Sequence, residues 1–517
     1  MDGSSYRFTV SIHSDISSLI IVFNSISSSP SICLSFRKIV RDNLYEMCNN
    51  NLAYCLETTK PGEYIMKIPC AKRIAFIVAG LSFLKPGLTN IQFGNMTLVA
   101  TALVLGSGFN LSCISRMWLK DKVVSTLSFF FSDAKFYVPE LQLLYAKRIQ
   151  QVYNIVEGYF IIDDTMKHHT KFCKWIHGVF ILFDHAFGTN LKATCIVFLY
   201  FSDGGLIKFP IAFRIYYKDT DKMLWQRGKA HECKAKYDLA TEMLQWALKV
   251  GFPKCTVLAD SWFCMGPFIK DLNLLELSYV IEVKANYTVR VPCKEPKLTP
   301  TGRQAKKQHD LVALPKFFKS FSSIAKYGFA GNKETGKLEK VLYHTKTSTL
   351  RLNSIPGKHR VIESIDPIKH TTKYLLTDRL TWEAGKILSV YINRWVIEEF
   401  FRNAKQLTDM EGVTLRSEQG VATALCLVSW IDFLLHFENY KQSIAGKLPQ
   451  GSLTIPSIVR RAQYENLKAV LEKVKREDGF LQRWLAVEEK NIFKERKKTK
   501  QLVLLEKPQR HQLKEAA

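Results

Sequence analysis

The chain has 517 residues, of which 47% are hydrophobic and 12% aromatic, enough apolar material for roughly two to four domains with real cores. Its 73 Lys and Arg against 47 Asp and Glu leave a formal charge of +26, which favours a polyanionic partner, nucleic acid first and a membrane surface second. The longest apolar runs, 18–23 and 98–105, fall short of the about 18 residues a spanning helix requires, so no membrane span is expected. The 12 cysteines are scattered singly without a C-x-x-C pair, which argues against a zinc ribbon or a disulfide framework and for reduced core thiols in a cytosolic setting.

Residues 1–35 hold 12 serines and little charge and lack the basic start and cleavage site of a secretion signal, so they are expected to be a poorly ordered or non-native extension. From 36 to 150 the pattern is mostly helical. The stretch NMTLVATALVLGSGFNLSCISRMWLKDKVVSTLSFFFSD predicts an apolar helix, a glycine-rich turn and two shorter amphipathic helices, compatible with either a helix-turn-helix-like unit or a plain bundle.

From Tyr159 the period shortens to that of strands. YFIIDD, WIHGVFILFDHAF, KATCIVFLYFSDG and KFPIAFRIYYK are β-branched and aromatic runs separated by turn residues, predicting three or four strands of one sheet. KYDLATEMLQWALKVG predicts a helix stopped by Gly251 and Pro253; CTVLAD is a short strand ending on Asp260; SWFCMGPFIKDLN begins a helix and SYVIEVKAN is another strand. Strand, helix and strand with short joins make an α/β sheet, and Asp260 falls at a strand's carboxyl end, where such sheets place their sites. The tract 285–371, with 17 Lys and Arg against 6 Asp and Glu, reads as a β-rich basic insertion, after which KYLLTD returns to strand and Thr381 is expected to cap a long helix. Residues 441–517, with 18 basic against 9 acidic residues, predict amphipathic helices such as NLKAVLEKVKRE and GFLQRWLAVEEK. Two basic tracts on either side of the long helix suggest the walls of a polyanion channel, against the commoner meaning of a solvated face.

Within that helix, YINRWVIEEFFRNAKQ places Tyr391, Arg394, Glu398 and Lys405 at roughly 0°, 300°, 340° and 320° around the axis, on one narrow stripe. The ordinary reading is an i,i+4 salt bridge between Arg394 and Glu398. Aromatic walls formed by Trp395, Phe400 and Phe401 suggest instead a carboxylate at the rim of a core, with cations aimed at something anionic. Two further carboxylate positions end apolar strands: IIDDT at Asp163 and Asp164, and VLADS at Asp260. Each alone reads as a turn or cap residue. Together with Glu398 they could cage hard divalent cations for in-line phosphodiester displacement, since burial among aromatics needs such compensation.

These residues resemble a known group. Tyr391, Arg394, Glu398 and Lys405 match the tyrosine-arginine-glutamate-lysine signature of bacterial insertion-sequence transposases with a DDE, RNase H-like catalytic domain; I-I-D-D-T and V-L-A-D-S-W-F match its two aspartate motifs. The 96 residues from Asp164 to Asp260 and the 138 from Asp260 to Glu398 leave room for the β insertion of that group. The resemblance, strongest over 159–437, implies Asp164, Asp260 and Glu398 as ligands of two Mg²⁺ or Mn²⁺ ions, with Asp163 the alternative first ligand. It implies that Arg394 and Lys405 contact DNA phosphates and that Tyr391 positions a terminal phosphate. It further implies strand cleavage by activated water and strand transfer by the freed 3′-hydroxyl, acting on transposon inverted-repeat ends and target DNA. The expected assembly is a homodimer on DNA, without a membrane, in the cytoplasm of a bacterium and associated with its nucleoid.

The expected organisation is an extension (1–35), a helical DNA-binding region (36–150), and an α/β, RNase H-like mixed sheet flanked by helices in two parts (151–284 and 372–440). The β-rich basic insertion (285–371) separates those parts, and a basic helical region (441–517) follows them. An RNase H-like nuclease or resolvase would share the carboxylates but has no reason for the Tyr391 signature; an inactive DNA-binding remnant is the reading from another class. His168, His169 and His185 match no common zinc spacing and receive no role, and core packing is expected of Trp262, Trp382 and Trp395.

Overall fold

The computed structural model describes residues 68–118, 123–169, 176–184, 187–217, 233–293, 295, 300–303, 309–331, 338–366, 371–445 and 454–492. The extension at 1–35 and His185 lie outside the described residues. The chain divides into two compact units. Among the described residues the larger takes in those of 73–114 and 123–463, and the smaller those of 68–72, 115–118 and 464–492.

The helical start follows the predicted pattern: α1 (Ala75–Gly80), a 3-10 turn (Leu81–Gly87), α2 (Asn90–Val104), α3 (Leu111–Met117), α4 (Val124–Ser132) and α5 (Val138–Val152). A capping box starts α2, in which the Thr89 hydroxyl accepts from the Gln92 amide (3.3 Å) and the Gln92 side chain accepts from the Thr89 amide (2.8 Å). The helix is apolar on all sides and buried from Met96 to Val104, so packing on every face stabilises it.

The strands follow as β1 (Tyr159–His168), β2 (Phe180–Asp184), β3 (Thr189–Ser202) and β4 (Lys208–Tyr216). After them come α6 (Lys236–Lys249), β5 (Thr256–Ala259), α7 (Gly266–Leu274), β6 (Tyr279–Val283), β7 (Thr288–Pro292), β8 (His309–Ala313), α8 (Leu314–Phe318), β9 (Ile324–Gly331), β10 (Leu338–Leu350), β11 (His359–Ile365) and β12 (Thr372–Thr377). Ten strands form one mixed sheet in the order β2-β3-β1-β5-β6-β12-β11-β10-β9, with β4 also on β3, while β7 and β8 pair separately. β1, β5 and β6 run parallel; β3 and β12 flank them antiparallel. The segment read as an insertion therefore continues the main sheet through β9, β10 and β11. The central strands are buried on both faces, which is why they read as unbroken apolar runs and not as an alternation.

The long helix differs from its prediction. It is α9 (Ala384–Tyr391), a 3-10 turn (Ile392–Arg394) and α10 (Trp395–Leu407), and its N-cap is Glu383, not Thr381. The side chain of Asn393 donates to the carbonyls of Ser389 and Val390 at 3.1 Å, and this local competition for backbone acceptors accompanies the tightened turn. After a 3-10 turn at Met410–Gly412 come α11 (Glu418–Ile444), α12 (Ile455–Arg476) and α13 (Phe480–Ile492). Among the described residues α11 is one helix long and apolar enough to cross a membrane, which the inspection of short apolar runs missed; 89% of its most apolar window is buried inside the protein, as in a core helix. In the smaller unit Val470, Phe480 and Trp484 pack with Ile68 and Ala71, and Asn466 bonds the Pro69 carbonyl and the Ala71 amide, each at 2.9 Å.

A buried polar pair ties the sheet to α11: the Tyr200 hydroxyl donates to Asp432 at 3.0 Å, and burial pushes the Asp432 pKa up to about 8. His436, 3.9 Å away, is lowered to about 3 by burial, so it stays neutral and the approach is not an ion pair. A carboxyl whose pKa rises on folding stabilises the fold below its unfolded pKa, near 4, and loses that contribution as pH rises through about 8. Asp432→Asn should therefore flatten the decline in unfolding free energy between those limits. Denaturant titrations at pH 5 and pH 8 check this; an unchanged slope contradicts it.

Candidate active site

Strand pairing sends Asp163 and Asp164 to opposite faces of the sheet. β1 and β5 are parallel neighbours with Ile162 opposite Ala259, so the next residues, Asp163 and Asp260, continue side by side at roughly the 4.8 Å spacing of adjacent strands. Asp163 lies opposite Phe198 on β3, and the Phe198 ring meets Phe400 and Phe401 of α10 at 5.1 and 5.7 Å. Asp163 therefore faces α10, where the Arg394 guanidinium bonds it at 3.0 Å and also bonds Glu398. Successive strand residues point to opposite faces. Asp164, the expected first member, accordingly turns away: it bonds the Lys236 ammonium at 2.9 Å and accepts from the Cys195 thiol at 3.3 Å. It belongs to the α6 side of the sheet, and Asp163 is the member of the pair that shares Arg394 with Glu398.

The predicted stripe is thus divided. Arg394 and Glu398 do form the ordinary i,i+4 pair, but the same guanidinium reaches across to β1. Tyr391 is buried, donates from its hydroxyl to Glu282 at 2.9 Å, and lies 5.8 Å below the Arg394 guanidinium. Lys405, seven residues beyond Glu398 and so roughly 10 Å further along the axis, pairs with Glu411 at 2.9 Å, with no contact to the carboxylates. Glu282 was not singled out from the sequence; a charged residue inside the apolar strand SYVIEVKAN was its signal. It also holds Lys373 at 2.8 Å. Lys236 had no signal of its own.

The electrostatics are those of crowded carboxylates. Burial is the main cause that raises the Asp163 pKa to about 7, opposed by Arg394 and reinforced by Asp260 and Asp164. Burial also raises Asp260, whose Oδ1 accepts from the Trp262 amide at 3.0 Å, a bond that partly offsets the rise; Asp164 adds to it. Arg394 is held more strongly protonated than usual, because Tyr391, Asp163 and Glu398 outweigh its own desolvation. The remaining sequence candidates are peripheral. His168 pairs with Asp184 at 2.6 Å and His169 with Thr194 at 3.1 Å, Trp382 and Trp395 are partly buried, and Trp262, expected in the core, is 37% exposed beside Asp260.

The donor set fits a hard divalent cation in chemistry: carboxylate oxygens, half-buried and incompletely compensated. In position it is only partly assembled. Among the described residues no three His, Cys, Asp or Glu groups stand together as a ready metal cage, and Arg394 links Glu398 to Asp163 alone.

Carboxylates at the ends of adjacent parallel strands, with a third on an abutting helix, are the type of donor set that metal-assisted phosphoryl transfer uses. Residues 222–431 match the family model of the transposase DDE domain, which supports a DDE transposase, an enzyme whose substrate is DNA. The match contains Asp260, Arg394 and Glu398 and begins after β1, so Asp163 and Asp164 precede it. No curated protein matches the chain.

Because Arg394 is the partner of two partly buried carboxylates, Arg394→Met should destabilise the fold by about 3–5 kcal/mol, the usual cost of leaving a buried charge unpaired. Chemical denaturation at pH 8 measures it; a loss below about 1 kcal/mol, typical of a surface pair, would contradict this geometry.

Proposed function

We propose that the chain is an insertion-sequence transposase that binds inverted-repeat DNA ends and carries out strand cleavage and strand transfer on an RNase H-like catalytic domain. The observation that carries the reading is the β1–β5 register, which ends at Ile162 opposite Ala259 with Asp163 and Asp260 as the next residues, and the Arg394 link from Asp163 to Glu398. The sheet supports the RNase H-like assignment: β4, β3 and β1 are antiparallel neighbours, and β5 and β6 continue from β1 in parallel through helical crossovers. The first aspartate lies on the strand at the junction of the two patterns.

In this reading Asp163, Asp260 and Glu398 would hold the divalent ions, two Mg²⁺ or Mn²⁺. When bound, such ions activate the attacking oxygen and stabilise the leaving one. Arg394, released from the carboxylates, presents a planar fork suited to a phosphate. Tyr391, bonded to Glu282, stacks beneath the guanidinium and positions it, and through it a terminal phosphate. Lys405 contributes from the far end of α10 as a more distant phosphate contact. The basic excess over 285–371 and 441–517 provides nonspecific attraction for DNA, a homodimer synapses the two ends, and the setting is the bacterial cytoplasm at the nucleoid, without a membrane.

Two outcomes test this. Asp163→Asn, Asp260→Asn and Glu398→Gln should each lower nicking of a duplex bearing the terminal repeat by roughly 100-fold or more, with DNA binding retained. Glu399→Gln, whose carboxylate pairs with Lys208 at 3.5 Å, is the internal control and should cut near the wild-type rate. A dead Glu399→Gln beside an active Glu398→Gln would reject the assignment. DNA affinity should also fall steeply with salt, since each neutralised phosphate releases counterions; a flat response in filter binding would remove the polyanion reading.

A further inference from the structure

The function proposed above uses Asp163 and leaves its neighbour unexplained. Asp164 is held by a group that no part of that function requires: the Lys236 ammonium bonds it at 2.9 Å, with the side chain of Lys236 only 13% exposed. The same ammonium stands 4.7 Å from the Trp262 ring centroid and 5.7 Å from that of Tyr216. Trp262 is two residues beyond Asp260, and its backbone amide donates to the Asp260 carboxylate. One cation, from the first turn of α6, thus touches the residue next to Asp163 on β1 and the loop that carries Asp260.

We propose that Lys236 is a positioning residue: by neutralising Asp164 and seating the Trp262 indole, it keeps Asp163 and Asp260 side by side at the correct charge for a divalent ion. The inference rests on the reading of Asp163 and Asp260 as the working pair. The charge balance explains why the lysine is needed. Asp163, Asp164, Asp260 and Glu398 are four carboxylates, and Arg394 and Lys236 are two cations, leaving the excess of two negative charges that one divalent ion neutralises. Without Lys236, Asp164 becomes a third uncompensated charge beside Asp163 on β1. The Trp262 loop also loses its cation–π partner. A direct DNA contact is a poor role for this lysine, because its ammonium is enclosed by one carboxylate and two rings.

The experiment compares full-length wild type with Lys236→Met, Lys236→Arg, Asp164→Asn and the double variant Asp164→Asn/Lys236→Met. Two readouts are taken: Mn²⁺ binding by calorimetry without DNA, and nicking of a duplex bearing the terminal repeat. Lys236→Met should lose roughly 10–100-fold in Mn²⁺ affinity and in turnover, as supporting residues around metal sites do, with KM for DNA unchanged. The double variant, neutral at both positions, should recover most of the Mn²⁺ affinity, and Lys236→Arg should stay near wild type. The proposal is overturned if the double variant is no better than Lys236→Met, or if Lys236→Met raises KM in proportion to its lost activity, which marks a phosphate contact. Should Lys236→Met fail to fold, the double variant and Lys236→Arg carry the same comparison. Asp163→Asn separates the two levels. If that variant binds Mn²⁺ and cuts like wild type, the site reading itself fails; if it is dead and the double variant is not rescued, only the role of Lys236 does.

Discussion

The parallel register of β1 on β5 is the constraint on which the site depends. It sets Asp163 beside Asp260 in a place that apolar strands and aromatic rings shield from water, where two like charges are costly. The fold meets that cost locally with Arg394, whose two terminal nitrogens reach Asp163 and Glu398. That one side chain also fixes the rotation of α10 against the sheet.

Packing then holds the register. Phe198 and Tyr200 on β3 meet Phe400 and Phe401 on α10, so the helix bearing Glu398 rests on the strand next to Asp163. Aromatic contacts of this sort are directional as well as apolar, which resists sliding of the helix along its groove. The 3-10 turn at Ile392–Arg394 lets α9 and α10 meet the sheet at separate places, with Tyr391 sent to Glu282 on β6 and Arg394 to Asp163 on β1.

Much of this was legible in the sequence. Strands β1 to β6 were recoverable from β-branched and aromatic runs between turn residues, because strands buried on both faces must be apolar throughout. Asp260 and Glu398 were legible as carboxylates in places where apolar neighbours make a charge expensive. The choice within the Asp163–Asp164 pair was not, since strand parity states that the two point apart but not which face the helix will cover. A uniform 100° wheel placed Tyr391 near Arg394, as found, but could not show that its hydroxyl would bond Glu282 on β6. Lys236 was invisible because its partners lie 72 residues before it, at Asp164, and beyond the following helix, at Trp262. Continuation of the sheet through β9, β10 and β11 was hidden for a similar reason: short alternating strands do not reveal which edge they extend.

The central claim is positional: the ion belongs between Asp163 and Asp260, on the α10 face of the sheet. Crystals of the protein grown or soaked with Mn²⁺ test it through the metal's anomalous scattering. The account predicts a peak within about 2.0–2.6 Å of oxygens from both carboxylates, the range of oxygen-bound divalent ions. A peak held by Asp164 on the α6 face, with Lys236 displaced and Asp163 still bonded to Arg394, would contradict it.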